Sequence, residues 1–505
     1  MVKLISLLTT LALILTTFAA CSSADDSGAD ETTAAPTTTA AETEAETEPA
    51  YELGVPDELD YNGYTFRFLG CPGENKTTES YFLQFTYDQE DGDIFNDSLY
   101  KRNEYVKEYL NIELETQTHG TLTDIGAFRK SVRAQDDSFD CGIWIDRFAL
   151  GAAQENMVYP LHEMAKMYVD LDAPWWLTNV NDALSIDNKL YFGAGAYDLS
   201  IYGSTQMLLF NKNLAADLQL ADMYDLVRTG KWTTDAMYEN MKLATADLNG
   251  DSKQDKDDRW GFNYIGNFCD FAMMSGNGAY YILKDEDDLP YFAASGNERL
   301  IQISDVLVHM LKDEAYAIQH DDMATQYKNG HPYENVVSMF ADSKSLYVGA
   351  GAMYMGNLRN MEDDFGILPF PKLEEYEAGT EFSSWLFGVL GYIVPTTISD
   401  PEMASAVLEM IAYSSYEMVV PSYLETVLQL KSTRDDDSAE MLKMLTKSSN
   451  YCIDLAHTYF LDSTNPVYGA AHNDGPEKIA STIEKNMTKI EKQLQKTIEK
   501  FQELN

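Results

Sequence analysis

The chain has 505 residues, with 36 Lys+Arg against 82 Asp+Glu and a formal net charge of −46. That excess of carboxylate argues against nucleic acid as a partner, because phosphates bind through Lys and Arg that displace counterions. It also disfavours direct adhesion to anionic lipid and the capture of anions. Hydrophobic residues at 45% and aromatics at 12% supply a large core, which rules out a wholly disordered chain. Five Cys make no disulfide framework. Length alone suggests about three domains.

Residues 1–20 read as a secretory signal: Lys3, then an apolar run from Leu4 to Ala20. Roughly 17 helical residues at ~1.5 Å each span about 26 Å, short of the ~30 Å hydrocarbon core. The run ends Phe18-Ala19-Ala20-Cys21, which resembles a bacterial lipobox. The resemblance implies lipidation of Cys21 as the new N-terminus and a membrane anchor; an ordinary cleaved signal is the competing reading. Residues 21–54 then form an acidic Thr/Ala-rich linker. Its Ser22–Ala50 stretch has no Leu, Ile, Val, aromatic or basic residue, so burial cannot offset its ordering entropy.

The folded body starts near Val55. Tyr64–Gly70 alternates and ends in Gly, a strand; Asp97–Leu110 carries Leu99, Val106 and Leu110 at helical spacing. Asn111–Thr118 reads as a strand, Phe128–Arg133 as helix and Phe139–Asp146 as a third strand. This β-α-β-α-β order predicts a parallel sheet, with a ligand beyond the carboxyl ends of its strands. Further on, Lys189–Ala194, Gln206–Phe210, Leu346–Gly351 and Phe365–Leu368 read as strands. Lys231–Asp235 opens a helix, and Leu300–Lys312, Ala404–Tyr416 and Ile479–Leu504 are helical by apolar spacing.

Several stretches occur in an order that resembles the extracellular solute-binding proteins of family 1, the sugar-binding lipoproteins of bacterial ABC importers. They are KLYFGAG (189–195), MLLFNKNLA (207–215), MYDLVRTGKWT (223–233), ADLNGDSKQDKDD (246–258), FGILPFPK (365–372) and YIVPTT (392–397). NDSLYKRNEYVKEYLNIE (96–113) and Pro174-Trp175-Trp176 also resemble a branch of that family. The resemblance spans most of Tyr64–Leu445. It implies an α/β, type II periplasmic-binding fold of two lobes with a hinge and an interlobe cleft. Crossings are then expected near Ser200–Gln206, Phe365–Lys372 and Gly388–Thr396. Lobe 1 would comprise 55–205 plus 366–392, and lobe 2 would comprise 206–365 plus 393–505.

The sharpest local motif is the loop Asp247–Asp258. Calcium takes six to eight hard oxygens, and a twelve-residue loop supplies them from fixed positions. Here those are Asp247, Asn249, Asp251, Lys253 through its carbonyl, Asp255 and Asp258. Ser252 replaces the usual Gly and Asp258 the usual Glu. A structural Ca²⁺ is the expectation, and a metal-free acidic turn the alternative. No HExxH, CxxC, GxSxG or P-loop pattern is present.

Sugar rings present apolar C–H faces to aromatic rings, and their hydroxyls need polar partners. Trp144 with Asp146 and Arg147 offers both at a strand end. Trp175, Trp176, Tyr202, Phe271, Asn277, Tyr354, Asn357, Arg359 and Trp385 are the other ligand-binding candidates, and core packing competes for every Trp. The expected function is a monomeric, lipid-anchored extracellular receptor that hands a carbohydrate or oligosaccharide to ABC permease subunits, with no catalytic residues. The alternatives are a surface glycan hydrolase and a glycan-binding protein without a transport role.

Overall fold

The strands are β1 (Tyr64–Gly70), β2 (Ile112–Thr118), β3 (Cys141–Ile145), β4 (Gln206–Asn211), β5 (Trp260–Tyr264), β6 (Ile282–Lys284), β7 (Pro290–Phe292), β8 (Ala317–Gln319), β9 (Ser345–Gly351), β10 (Phe365–Leu368), β11 (Ser384–Trp385), β12 (Leu390–Ile393) and β13 (Ser449–Asn450). They fall into two main sheets, ordered β12-β3-β1-β2 and β10-β4-β9-β5-β8, with pairs β6-β7 and β11-β13 beside them. This computed structural model describes residues 51–70, 84–119, 124–320, 332–380, 382, 384–385, 389–428, 435–447, 449–450 and 466–504. The expected signal segment, Cys21 and Ser22–Ala50 lie outside the described residues.

In the first sheet β1 pairs in parallel with β2 and with β3, while β12 runs antiparallel to β3. β3 reads Cys-Gly-Ile-Trp-Ile and is buried along its whole length, as a strand covered on both faces must be. Arg67 on β1 bonds to Asp140 just before β3, and Asp140 also accepts the Tyr64 hydroxyl at 2.8 Å. In the second sheet β5 is parallel to β8 and β9, whereas β4 is antiparallel to β9 and β10.

Each sheet has its own apolar core. The chain passes between them at Ser204–Gln206 and again between Phe382 and Val389, because Ile201 and Val389 belong to the first core and Met207 and Phe382 to the second. This redraws the expected boundaries. Phe365–Phe382 stays with the second lobe, since Phe365, Ile367 and Phe370 pack there; the expected crossing at Phe365–Lys372 is therefore absent. Val394–Val420, expected in the second lobe, packs in the first through the helix Pro401–Ser414. A long amphipathic helix can belong to both lobes, which a division by strands alone does not anticipate. The C-terminal helix Pro476–Glu503 buries Ile479, Ile490 and Leu494 in the second core and Phe501 in the first. The Lys189 ammonium donates to its last carbonyls, those of Phe501 and Leu504, at 3.0 and 2.7 Å.

The segment Lys189–Ala194 forms no strand of its own. It meets β12 through the isolated bridge Gly193–Tyr392.

Candidate functional site

In α/β sheets ligands bind beyond the carboxyl ends of the parallel strands. β3 ends at Ile145 and passes straight into the helix Asp146–Gln154. β5 leads into the helix Gly266–Gly276, β8 into His320, and β9 into the 3-10 turn Ala352–Leu358. The helix Leu199–Ser204 packs on that turn, and Met353 contacts both cores. The backbones close tightly here: a Cβ at Gly351 would stand 2.9 Å from the Gly203 carbonyl oxygen.

Half-buried aromatic rings stand at these ends. Tyr202 lies 6.0 Å from Tyr423, whose ring meets Phe95 edge-on at 5.5 Å. The Arg147 guanidinium lies 5.6 Å from the Phe148 ring centre, three residues past β3. On the second lobe, His320 Nδ1 accepts the Gly266 N–H at 3.1 Å, and the His320 and Tyr333 rings are edge-on at 5.0 Å. Phe268 adds a third ring, 5.2 Å from Tyr333. Sequence reading placed Phe148 in the candidate segment after β3 but missed Phe95, His320, Tyr333 and Tyr423. His320 directly follows β8, a three-residue strand too short for sequence patterning to reveal.

Several expected ligand groups are structural instead. Trp144 is fully buried, 6.3 Å from Phe128, on the β3 face that Gly142 leaves open to that ring. It is no stacking surface. The Asp146 carboxylate is 1% exposed and accepts the Val389 N–H at 3.2 Å. Trp175 and Trp176 are buried, and their indole N–H groups donate to the two oxygens of Glu409 at 2.7 and 2.8 Å. Burial pushes Glu409 up to about 7. Phe271 stacks on Tyr468 at 4.6 Å inside the second core. Asn277 ends its helix and binds the carbonyls of Met273 and Pro371 and the Leu373 N–H. Tyr354 is buried in the turn after β9, where burial raises its phenol; Asn357 and Arg359 in and after the same turn are exposed. Trp385 lies on β11, paired with β13, and its side chain is outside the described residues. Of the expected set, Tyr202 and Tyr354 lie on the helix and the turn that pack together between the lobes, and Arg147 lies just past β3.

A second tie between the lobes lies where the β6–β7 hairpin meets the helix Thr178–Leu184 and the turn after it. Lys284 bonds to the Asp182 carbonyl and, at 2.8 Å, to the Ser185 hydroxyl, and it pairs with Asp288. Asp288 in turn accepts the Asn188 N–H at 2.8 Å.

In the acidic loop, carboxylate oxygens of Asp247, Asp251 and Asp258 lie within 4.8 Å of one another. Asp258 is fully buried and accepts the N–H groups of Leu248 and Asp255. Asp247 accepts from Gly250 and Ser252, and these bonds lower its pKa. Ser252 takes the left-handed conformation (φ 63°) that Gly usually supplies. Asn249 and Asp255 are turned to neighbouring backbone N–H groups, of Asp251 and Asp257. Lys253 donates its N–H to Asp251.

No protein-family model matches the sequence, and no curated protein matches it. Solved structures do. The sugar-binding protein MalE of Xanthomonas citri aligns with a TM-score of 0.57 at 13% identity, over 87% of this chain and all of that one. A sugar transporter of Rhizobium etli in an open conformation gives 0.54 at 12%, over 88% and 100%. An ABC substrate-binding protein of Listeria monocytogenes in complex with cycloalternan gives 0.51 at 13%, over 87% and 98%. The fold is that of the periplasmic-binding proteins. In this chain two cores are joined where the chain passes from one to the other. Among the described residues no helix is long and apolar enough to cross a membrane.

Proposed function

We propose that this protein is the extracellular receptor of an ABC importer and captures a neutral carbohydrate, an oligosaccharide, between its lobes. It binds and releases its solute without chemistry, the lobes moving about their crossings. The observation that carries the reading is the set of half-buried aromatic groups on both lobes, Phe148 past β3 and the pair Tyr202 and Tyr423 on the first and His320 with Tyr333 on the second, within a fold shared with sugar receptors. The strongly negative charge disfavours anionic solutes. The test is a thermal-shift screen of the full chain against maltooligosaccharides, cyclic glucans, peptides and polyamines, because a ligand of the folded state raises its stability. Binding of a sugar, lost about tenfold or more in Tyr333→Ala or Tyr202→Ala with an unchanged ligand-free melting point, supports the reading. A silent glycan panel with a responding peptide or polyamine overturns it.

In this reading Cys21 carries the lipid anchor and the acidic linker holds the body off the membrane. Anchoring of that kind needs more than one acyl chain. Cys21→Ala then releases the protein or leaves the precursor uncut. We propose also that Ca²⁺ is held by Asp247, Asp251 and Asp258 as a clip, the ion relieving repulsion among the three carboxylates.

A further inference from the structure

Two turns, one from each lobe, meet tip to tip. The first-lobe turn runs from Ile186, a member of the first core, to Lys189, and Asp187 and Asn188 at its tip are both left-handed (φ 58°). The second-lobe turn joins β6 to β7, whose Ile282 belongs to the second core, and its Asp288 is left-handed as well (φ 64°). Asn and Asp enter this conformation more readily than bulkier residues do. Two consecutive N–H groups of the first tip meet one residue of the second. The Asp187 N–H donates to the Asp288 carbonyl at 3.2 Å, and the Asn188 N–H to an Asp288 carboxylate oxygen at 2.8 Å. The Ser185 hydroxyl lies 3.0 Å from the other carboxylate oxygen. Lys284, paired with Asp288, reaches back across: it donates to the Ser185 hydroxyl at 2.8 Å and to the Asp182 carbonyl.

We propose that these tips form a clasp between the lobes, closed in this arrangement, whose release lets the lobes move about the crossings. Each of these bonds has its donor in one lobe and its acceptor in the other, so separating the lobes breaks them together. The Lys284 and Asp288 side chains are 15% and 16% exposed. They are shielded enough to bind more firmly than an exposed pair, and near enough to water to be rehydrated on release. A recess of about 560 Å³ lies beside them, lined by Asn179 and Asp182 of the first lobe and by Tyr280, Leu283 and Glu286 of the second. Ala183 packs against both cores there. Both tips also rest on one element. β7 packs on the C-terminal helix Pro476–Glu503, and Lys189, at the base of the first tip, donates to that helix's last carbonyls. The helix belongs to both cores and so keeps the two tips in register. The clasp needs the two-core fold, not the identity of the solute.

The test uses the full ligand-free chain and two readings, amide hydrogen exchange over residues 185–190 and small-angle scattering. Asp288→Ala and Lys284→Met change the second lobe alone. Each is expected to speed exchange at Asp187 and Asn188 of the first lobe about tenfold or more, because an amide exchanges when the bond that holds it opens. Each is also expected to raise the radius of gyration. Both changes together support the clasp. Unchanged exchange overturns it. Faster exchange at an unchanged radius overturns it too, the tips then being bonded without holding the lobes. If Asp288→Ala does not fold, Lys284→Met decides by the same two readings.

Discussion

The two lobes bury charge in different ways. In the first, Arg102, Asp140, Asp146, Asp198 and Glu409 are all at most 2% exposed; in the second, among the described residues, the counterparts are Asp258 and Asp270. The first lobe's groups join segments far apart in the chain. Asp140 fastens β3 to β1, Glu409 fastens the loop Asp170–Trp176 to the helix Pro401–Ser414, and Arg102 reaches Gln84 and Ser415 while covering the Phe85 ring. The second lobe is filled instead with Met and aromatic side chains, among them Met207, Met237, Met241, Met273 and Trp232. Buried polar groups demand one geometry, whereas Met adapts to irregular space. The first lobe therefore behaves as a frame that fixes the crossings, and the second as a body packed by shape.

That contrast can be broken from the first lobe's core. Trp144→Ala is expected to cost about 3–5 kcal/mol in denaturant unfolding, the range for deleting a buried aromatic. The folded fraction should bind its ligand normally, since Trp144 faces Phe128. Weakened binding in fully folded Trp144→Ala would return this ring to the site.

Next in size is Glu409→Ala, which orphans two buried indole N–H groups at about 1–3 kcal/mol each. Chemical denaturation measures the loss, and Glu409→Gln, keeping one acceptor oxygen, loses less. The same residue sets a pH dependence. Its folded pKa of about 7 lies above the unfolded 4.5, so the folded state binds the extra proton between them. Stability from this group is complete below about 4.5 and is lost as pH rises to about 7, so melting temperature should fall across that window and flatten in Glu409→Gln.

A smaller effect sharpens the comparison from the other side. In the second lobe the Tyr468 hydroxyl donates to Asp270 at 2.9 Å, with His472 on the same carboxylate. Tyr468→Phe keeps the stacked ring and removes one hydrogen bond, for about 1–2 kcal/mol by denaturation. A loss as large as that of Glu409→Ala would show that the second lobe also depends on buried polar ties. The smallest effect belongs to the exposed part of the acidic loop. With the proposed Ca²⁺ site, millimolar Ca²⁺ should raise the wild-type melting point, and Asp251→Ala should abolish that rise while leaving the melting point in chelator unchanged.

The sequence by itself determined the strongly patterned elements, though the expected strand Lys189–Ala194 does not form and short strands such as β6, β7 and β8 carried no signal. Apolar runs at β3 and β9 and helical spacing in Asp97–Leu110 and Ile479–Leu504 are local signals, and those two strands and two helices form where the signals lie. The motif order pointed to two lobes before any contact was known. What only the tertiary structure decided was which side of each element faces a neighbour. Trp144, Asp146, Trp175 and Trp176 carry the residue types of a sugar site, yet Phe128, Val389 and Glu409 claim them, from 16 to 243 positions away in the chain. Lobe boundaries were hidden for the same reason. Phe370 and Val407 are equally apolar in the sequence, and only packing sends one to the second core and the other to the first. A side chain's type fixes what it can bond; the distant segment that arrives beside it fixes what it does.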